Sequence, residues 1–292
     1  MDTFAVMFRE EIKKAMSLSK VSTTVTGDNV YQEGNKEIVP IIDGMADCLI
    51  LPGSGVDGIE NLEELLAKAE SGKSCLLLLE HYSNFDYSLF SMLVRRAGGR
   101  GEDIANAVIA IAGMKLNEDP IVAAFAGAYT RIVIYPSRSQ QGLDAEKAQA
   151  EQVRSNAINR AAMKALDEVK TQGKLILVFP SGTRYRPWDP STKKGVREID
   201  SYVRSFDYMC CVALNGKIMH VQQTDMVNDA VSRDIIRITA GPVCSCAEFR
   251  DKARAVADAA GIEDKRQAVV DAIMAELENL HITAEEKRKN LG

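Results

Sequence analysis

Five consecutive apolar residues, CLLLL at 75–79, stand between a Gly72–Lys73 turn and the mixed segment HYSNFD. A run this short, with no polar residue on either side of its alternation, suits a strand buried on both faces of a parallel sheet. Other runs of the same kind follow: RIVIYP at 131–136, KLILVFP at 174–180 and MCCVAL at 209–214. ANAVIAIAG at 105–113 reads as a further strand, although its pattern also fits a buried helix. RDIIRITAG at 233–241 alternates polar and apolar residues, as an edge or half-exposed strand does. Helical stretches separate these runs. Ile59–Ser71 places Leu62, Leu65, Leu66 and Ala69 on one face, and Asp86–Arg96 begins with Asp86 or Ser83 as its cap. A long helix runs from Leu143 to about Thr171 and stops before Gly173, and Phe249–Ala260 and Glu263–Leu280 close the pattern. Strands alternating with helices predict an α/β fold: a mostly parallel central sheet with helices on both faces.

Ahead of this pattern, residues 1–20 read as an amphipathic helix, with Phe4, Met7, Phe8, Ile12 and Met16 on one side. Residues 21–38 read as a polar loop. The expected division is therefore an N-terminal helix and loop over 1–38, a short helical appendage, and an α/β domain over 39–292. The chain has 292 residues, 46% hydrophobic and 26% charged, which is enough for such a core and excludes collagen-like or wholly disordered classes. Its net charge of −5 argues against a nucleic-acid partner, which needs a basic field. The longest apolar run, IVAAFAGAY at 121–129, falls short of the roughly 18 residues of a membrane span. The first residues lack the basic and apolar regions of a signal peptide. Cys48, Cys75, Cys210, Cys211, Cys244 and Cys246 form no CxxC pair and read as free, buried thiols of a reducing cytosol. His81, His220 and His281 show no ligand spacing with them, so no metal is expected and the location is read as cytoplasmic.

Three segments carry groups suited to chemistry. HYSNFD at 81–86 follows the strand CLLLL directly. A histidine at a strand's carboxyl end, with an acid five residues on to orient its ring, is a candidate general base. The plainer reading is a histidine that caps the next helix or fills a pocket edge. FPSGTRYRPWDP at 179–190 leaves another strand through a turn fixed by Pro180, Gly182 and Pro187, beside Arg184 and Arg186. Guanidinium groups and turn amides together bind phosphate, and residues 184–204 hold six basic residues against three acids. The alternative is a solvated charged loop. Arg138, just beyond RIVIYP, is either a third phosphate ligand or a surface arginine. A parallel sheet would gather all three segments at one edge.

A rival comes from GSGVDG at 53–58, which fits G-x-G-x-x-G after the apolar run CLIL, with Glu80 ending the next such run. That is the arrangement of a dinucleotide-binding unit and would imply an oxidoreductase. Pro52 and Asp57 sit awkwardly in it, and a Gly-rich turn before a helix is simpler. A third possibility is a catalytically idle lipid- or phosphate-binding module.

HYSNFD resembles the H-x4-D block of the glycerolipid acyltransferases, and FPSGTR resembles their third block, which reads FPEGTR in many lysophosphatidate acyltransferases. Here Ser181 stands in place of the acid. PSGTRYRP at 180–187 is similar to the PSGGR-x-RP segment of the soluble, plant-plastid type of glycerol-3-phosphate acyltransferase, as is residues 112–138 to the matching stretch. The resemblance runs from about residue 55 to 220. It implies His81 as general base, Asp86 as its orienting partner, and Arg138, Arg184 and Arg186 as phosphate ligands. Lys115 matches a basic position without an assigned role. Backbone amides near Gly182 are expected to stabilise an oxyanion. The resemblance implies transfer of a fatty acyl group from acyl carrier protein or acyl-CoA to glycerol 3-phosphate, with lysophosphatidate or another phosphorylated alcohol as the alternative acceptor. No cofactor beyond the thioester co-substrate is implied. Ser139 replaces a further basic residue, the proline of the family's fourth block is absent from YMCCVALNG at 208–216, and most of the plastid type's N-terminal helical domain is missing. Membrane contact is expected to be transient at most, because the charges of helix 1–20 sum to only +1 and its apolar face suits the protein's own core.

Overall fold

The computed structural model describes residues 2–22, 24–136, 145–224 and 228–291. Its strands are β1 (Tyr31–Gln32), β2 (Gly55–Asp57), β3 (Cys75–Leu79), β4 (Val108–Gly113), β5 (Arg131–Ile134), β6 (Leu175–Val178), β7 (Tyr208–Asn215), β8 (Met219–His220), β9 (Ala230–Val231), β10 (Arg237–Ala240) and β11 (Cys244–Ser245). The helices are α1 (Phe4–Met7), α2 (Arg9–Leu18), α3 (Val39–Leu49), α4 (Ile59–Glu70), α5 (Asp86–Arg96), α6 (Gly101–Ala107), α7 (Pro120–Ala126), α8 (Ala145–Val169), α9 (Ile199–Ser205), α10 (Cys246–Ala259) and α11 (Lys265–Lys289).

The sheet order is β1-β5-β4-β6-β3-β7-β10-β2, with β11 also paired to β7. The pairs from β5 across to β7 are parallel, and β1 and β10 join antiparallel at either side. All five residues of β3 are buried. Cys75, Leu77 and Leu79 point into one core, with residues of α3, α4 and α5, while Leu76 and Leu78 point into the other, with α8, α9 and α11. This is the two-faced burial that an unbroken apolar run demands, and the fold is the expected mostly parallel α/β sandwich with helices on both faces.

Several local expectations change. The segment 105–113 divides: α6 ends at Ala107 and β4 starts at Val108. Residues 237–240 keep the expected half-exposed alternation, with Ile238 and Ala240 buried, but the strand lies between β7 and β2 and not at an edge, because the short β2 pairs with 237–239 in parallel register. The stretch that includes CLIL is the helix α3 and its C-terminus, not a strand. Gly55–Asp57 is itself a strand, so GSGVDG is no phosphate loop. Gly58 is glycine because φ is +74° and a Cβ there would run into Ala240 O. Asp57 pairs with Arg237. The dinucleotide reading loses its strand and its loop together.

Residues 1–20 form two helices broken at Phe8, not one. Phe4, Phe8 and Ile12 are buried in the α3–α5 core, and Phe4 packs edge-on against Phe85 and Phe125. Tyr31–Gln32 adds a strand to the sheet. The apolar face of this segment thus packs on the protein's own core, as expected. Met7 and Met16, expected on the apolar face, are exposed instead. Among the described residues no helix is long and apolar enough to cross a membrane. Cys75, Cys210, Cys211 and Cys246 are buried free thiols, whereas Cys244 is half-buried and Cys48 is exposed.

Candidate active site

The parallel strands β3, β4, β5 and β6 all end on one edge, and β3 lies between β6 and β7. His81 leaves β3 on this edge, and Asp86 opens α5 five residues later. The loop between them is folded back by bonds from Tyr82 and Ser83 to Asp86, which brings the two side chains together. His81 Nδ1 lies 3.0 Å from Asp86 Oδ2. The same carboxylate accepts the backbone N–H groups of Tyr82 at 2.5 Å and Ser83 at 2.8 Å, and the Ser83 hydroxyl at 2.6 Å. Neither Asp86 nor Ser83 is the N-cap residue of α5; that place is Phe85's. Asp86 occupies the first helical position and reaches back, where the helix dipole favours its charge. It is 1% exposed, so its oxygens meet these donors and not water.

The His81 ring stacks on Phe179 at 4.0 Å between centroids. Phe179 comes from the end of β6, one strand away. With one face covered and Nδ1–H on Asp86, Nε2 is the nitrogen left to accept a proton. A carboxylate on Nδ1 with Nε2 left open is the arrangement in which an imidazole can serve as a general base.

The segment 179–190 passes beside this base. Tyr185 N–H donates to His81 O at 2.8 Å. Pro180 O accepts from Val196 N, closing the loop at its foot. Gly182 has φ +63° and its N–H donates to Phe179 O at 2.9 Å. That amide is engaged within the turn, so an oxyanion donor from this turn would have to be a neighbouring amide. Ser181, in place of the usual acid, donates its hydroxyl to Thr183 O at 2.7 Å.

Arg184 and Arg186 are both on this loop but in different settings. Arg184 is largely buried and pairs with Asp229 at 3.1 Å. Asp229 is fully buried, and burial pushes its carboxyl above the usual range despite Arg184 and the Gln222 N–H that oppose the shift. Arg186 is exposed, with its backbone N–H on Thr192 Oγ1. Lys115, just past β4, is exposed on the same sheet edge. Arg138 and Ser139 lie outside the described residues.

The sequence reading missed what surrounds the base. Glu80 is buried and accepts from Leu214 N at 2.9 Å, Tyr82 OH at 2.8 Å and His281 Nδ1 at 2.8 Å. It is therefore not a free ribose ligand of a nucleotide site. An acid closing a fully apolar run was the available signal, since a buried carboxylate must find donors. Its partner His281, 201 positions later, had no local signature. Burial alone would lower the His281 pKa, but Glu80 and Glu278 outweigh it and the net shift is upward. Tyr82 is pushed far up by burial and by Glu80, so it remains a neutral donor.

No activated thiol competes with His81 in the core. Burial pushes Cys75 up to about 12 and Cys244 up to about 11, and it raises Cys210, Cys211 and Cys246 as well.

The family model for acyltransferases matches residues 55–237, which contain both the His81–Asp86 pair and the Arg184–Arg186 loop. Among solved structures, the chain is similar to the 1-acyl-sn-glycerophosphate (LPA) acyltransferase from Thermotoga maritima. The identity is 15% and the TM-score 0.44, over 96% of this chain and 83% of that one. No curated protein matches.

Proposed function

The chain belongs to the acyltransferase family, and from that premise we propose that it moves a fatty acyl group from acyl carrier protein or acyl-CoA to glycerol 3-phosphate, giving lysophosphatidate. The observation that carries the chemistry is the His81–Asp86 pair at a strand end. His81 Nε2 takes the acceptor's hydroxyl proton as that oxygen attacks the thioester carbonyl. Asp86 holds the Nδ1–H tautomer and balances the imidazolium that forms. The tetrahedral intermediate expels the thiolate, which recovers the proton from His81 and leaves as a thiol. One C–O bond forms, one C–S bond breaks, and no acyl-enzyme is needed.

A phosphorylated acceptor is supported by the loop that carries Arg184 and Arg186, whose Tyr185 N–H is bonded to His81 O. In this reading Arg186 meets the phosphate in the open, Arg184 holds it from the buried side, and Arg138 is a third ligand. Fixing the phosphate holds the hydroxyl against the carbonyl. Lysophosphatidate is the second acceptor to test, because FPSGTR is also close to the FPEGTR block. The test is thiol release from acyl-CoA and from acyl carrier protein, with either acceptor or none. Release should require an acceptor and fall about 10²–10⁴-fold in His81→Ala while the fold persists. Near-native turnover in His81→Ala would remove the base assignment.

A further inference from the structure

His81 stands between a strand that ends at Leu79 and a helix that begins at Asp86. Its ring is aimed by Asp86 and Phe179, but the ring's place depends on the backbone of residues 80–82. That backbone is tied on both sides to one carboxylate. Glu80 Oε2 accepts from Leu214 N of β7 and from His281 Nδ1 of α11, and Glu80 Oε1 accepts from Tyr82 OH, two residues on. Tyr82 N–H in turn donates to Asp86. The far side is anchored too: Asn215, at the end of β7, donates through Nδ2 to His281 O at 3.0 Å and to Glu285 at 3.1 Å. One buried acid therefore joins β3, β7 and α11 at the residue before the base.

A sixth apolar residue in place of Glu80 would extend the β3 run and avoid desolvating a carboxylate, which is costly unless its bonds are made. The acid does make them, and each bond holds an element that borders His81. We propose that Glu80 and His281 are positioning residues for His81, clamping the backbone on both sides of the base so that the rate of acyl transfer depends on α11. The proposal rests on the reading of His81 as the general base. Displacing a reacting group by about 1 Å is enough to lower a rate by about a hundredfold.

The groups that face His281 are Glu80 and Tyr82 from the β3 end, Glu278 on its own helix and Lys193, which pairs with Glu278. Two replacements separate donor from bulk. His281→Leu fills the space without an N–H. His281→Asn puts an amide N–H near the place of Nδ1.

The chain has three histidines, so histidine-specific isotope labelling gives three ring signals in the NMR spectrum, read without any substrate. In His281→Leu, kcat should fall about 10–100-fold with both KM values within about twofold. The His81 ring should then lose its single Nδ1–H tautomer. In His281→Asn, kcat should return to within about threefold of wild type and the His81 signal should be restored. Wild-type kcat and an unshifted His81 signal in His281→Leu would overturn the clamp. So would a loss in His281→Asn as large as in His281→Leu, which would mean packing alone. If His281→Leu does not fold, Tyr82→Phe removes one bond to Glu80 and should shift the His81 signal; no shift overturns the proposal. An unchanged His81 signal speaks against the clamp, whereas a wild-type protein that acylates no acceptor speaks against the proposed reaction.

Discussion

Arg184 and Arg186 are two positions apart, yet the fold gives them unequal tasks. Arg186 is exposed, so Arg186→Ala should raise the KM for the phosphorylated acceptor, leave that for the thioester nearly unchanged, and keep the melting temperature. Arg184→Ala should raise the same KM and also destabilise, because it leaves the fully buried Asp229 without its counter-charge. Removing one partner of a buried pair costs about 3–5 kcal/mol. Asp229's carboxyl already sits above its ordinary range and can take up a proton, so a loss of about 3 kcal/mol is the expected ceiling. Denaturant titration beside steady-state kinetics checks both; equal stability of the two variants would deny the structural share of Arg184. The resemblance in the motif named both arginines, but only the fold separates them, because Asp229 lies 45 residues away.

At the scale of elements, α1 and α2 show how an amphipathic face is put to use. Phe4, Phe8 and Ile12 are buried, while Val6, Met7 and Met16 are exposed. Phe4 N–H also donates to Asp229 O, which joins this segment to the partner of Arg184. Burying each large apolar side chain is worth about 1.5–3 kcal/mol. Removing residues 1–18 should therefore lower the melting temperature clearly and leave binding to liposomes unchanged. A truncated protein with native stability that no longer sediments with liposomes would reverse that assignment. Periodicity made the apolar face legible, but not the break at Phe8, and it placed Met7 and Met16 on the wrong side. The β3 and β6 runs were legible because they carry no polar residue, and β5 and β7 because their buried polar residues, Arg131 and Asn215, stand at one end of the run. The helix α3 was not legible. Its mixed pattern, with Pro40 in the first turn and Gly44 inside, hides a helix.

Across the whole molecule, parts far apart in the sequence meet at one sheet edge, and that is why only half of the site was readable. His81 and Asp86 share one motif. Phe179, Leu214 and His281 reach it only through the pairing of β3 with β6 and β7 and the packing of α11. The distant contact has a pH signature. His281 holds its proton more tightly in the folded chain than its ordinary value of 6.5. Its contribution is then complete below about 6.5 and is lost as pH rises through the raised folded value. The stability gap between wild type and His281→Asn should narrow as pH rises from about 6.5 through the raised folded value, read by urea titration. A gap that stays constant over that interval would mean that His281 does not titrate against Glu80.

The pairing of β3 with β6 and β7 also orders events during synthesis. His81 and Asp86 are made within five residues of each other, early in the chain. The frame around them waits for segments made much later, and long-range parallel pairing is slow to form. Until α11 is made, Glu80 lacks His281 and the face of β3 that carries Leu76 and Leu78 lacks part of its cover. A chain that ends before Lys265 should therefore lack the frame around His81 and leave apolar surface of the sheet uncovered, so the last helix made is the one that completes the fold around the oldest part of the site.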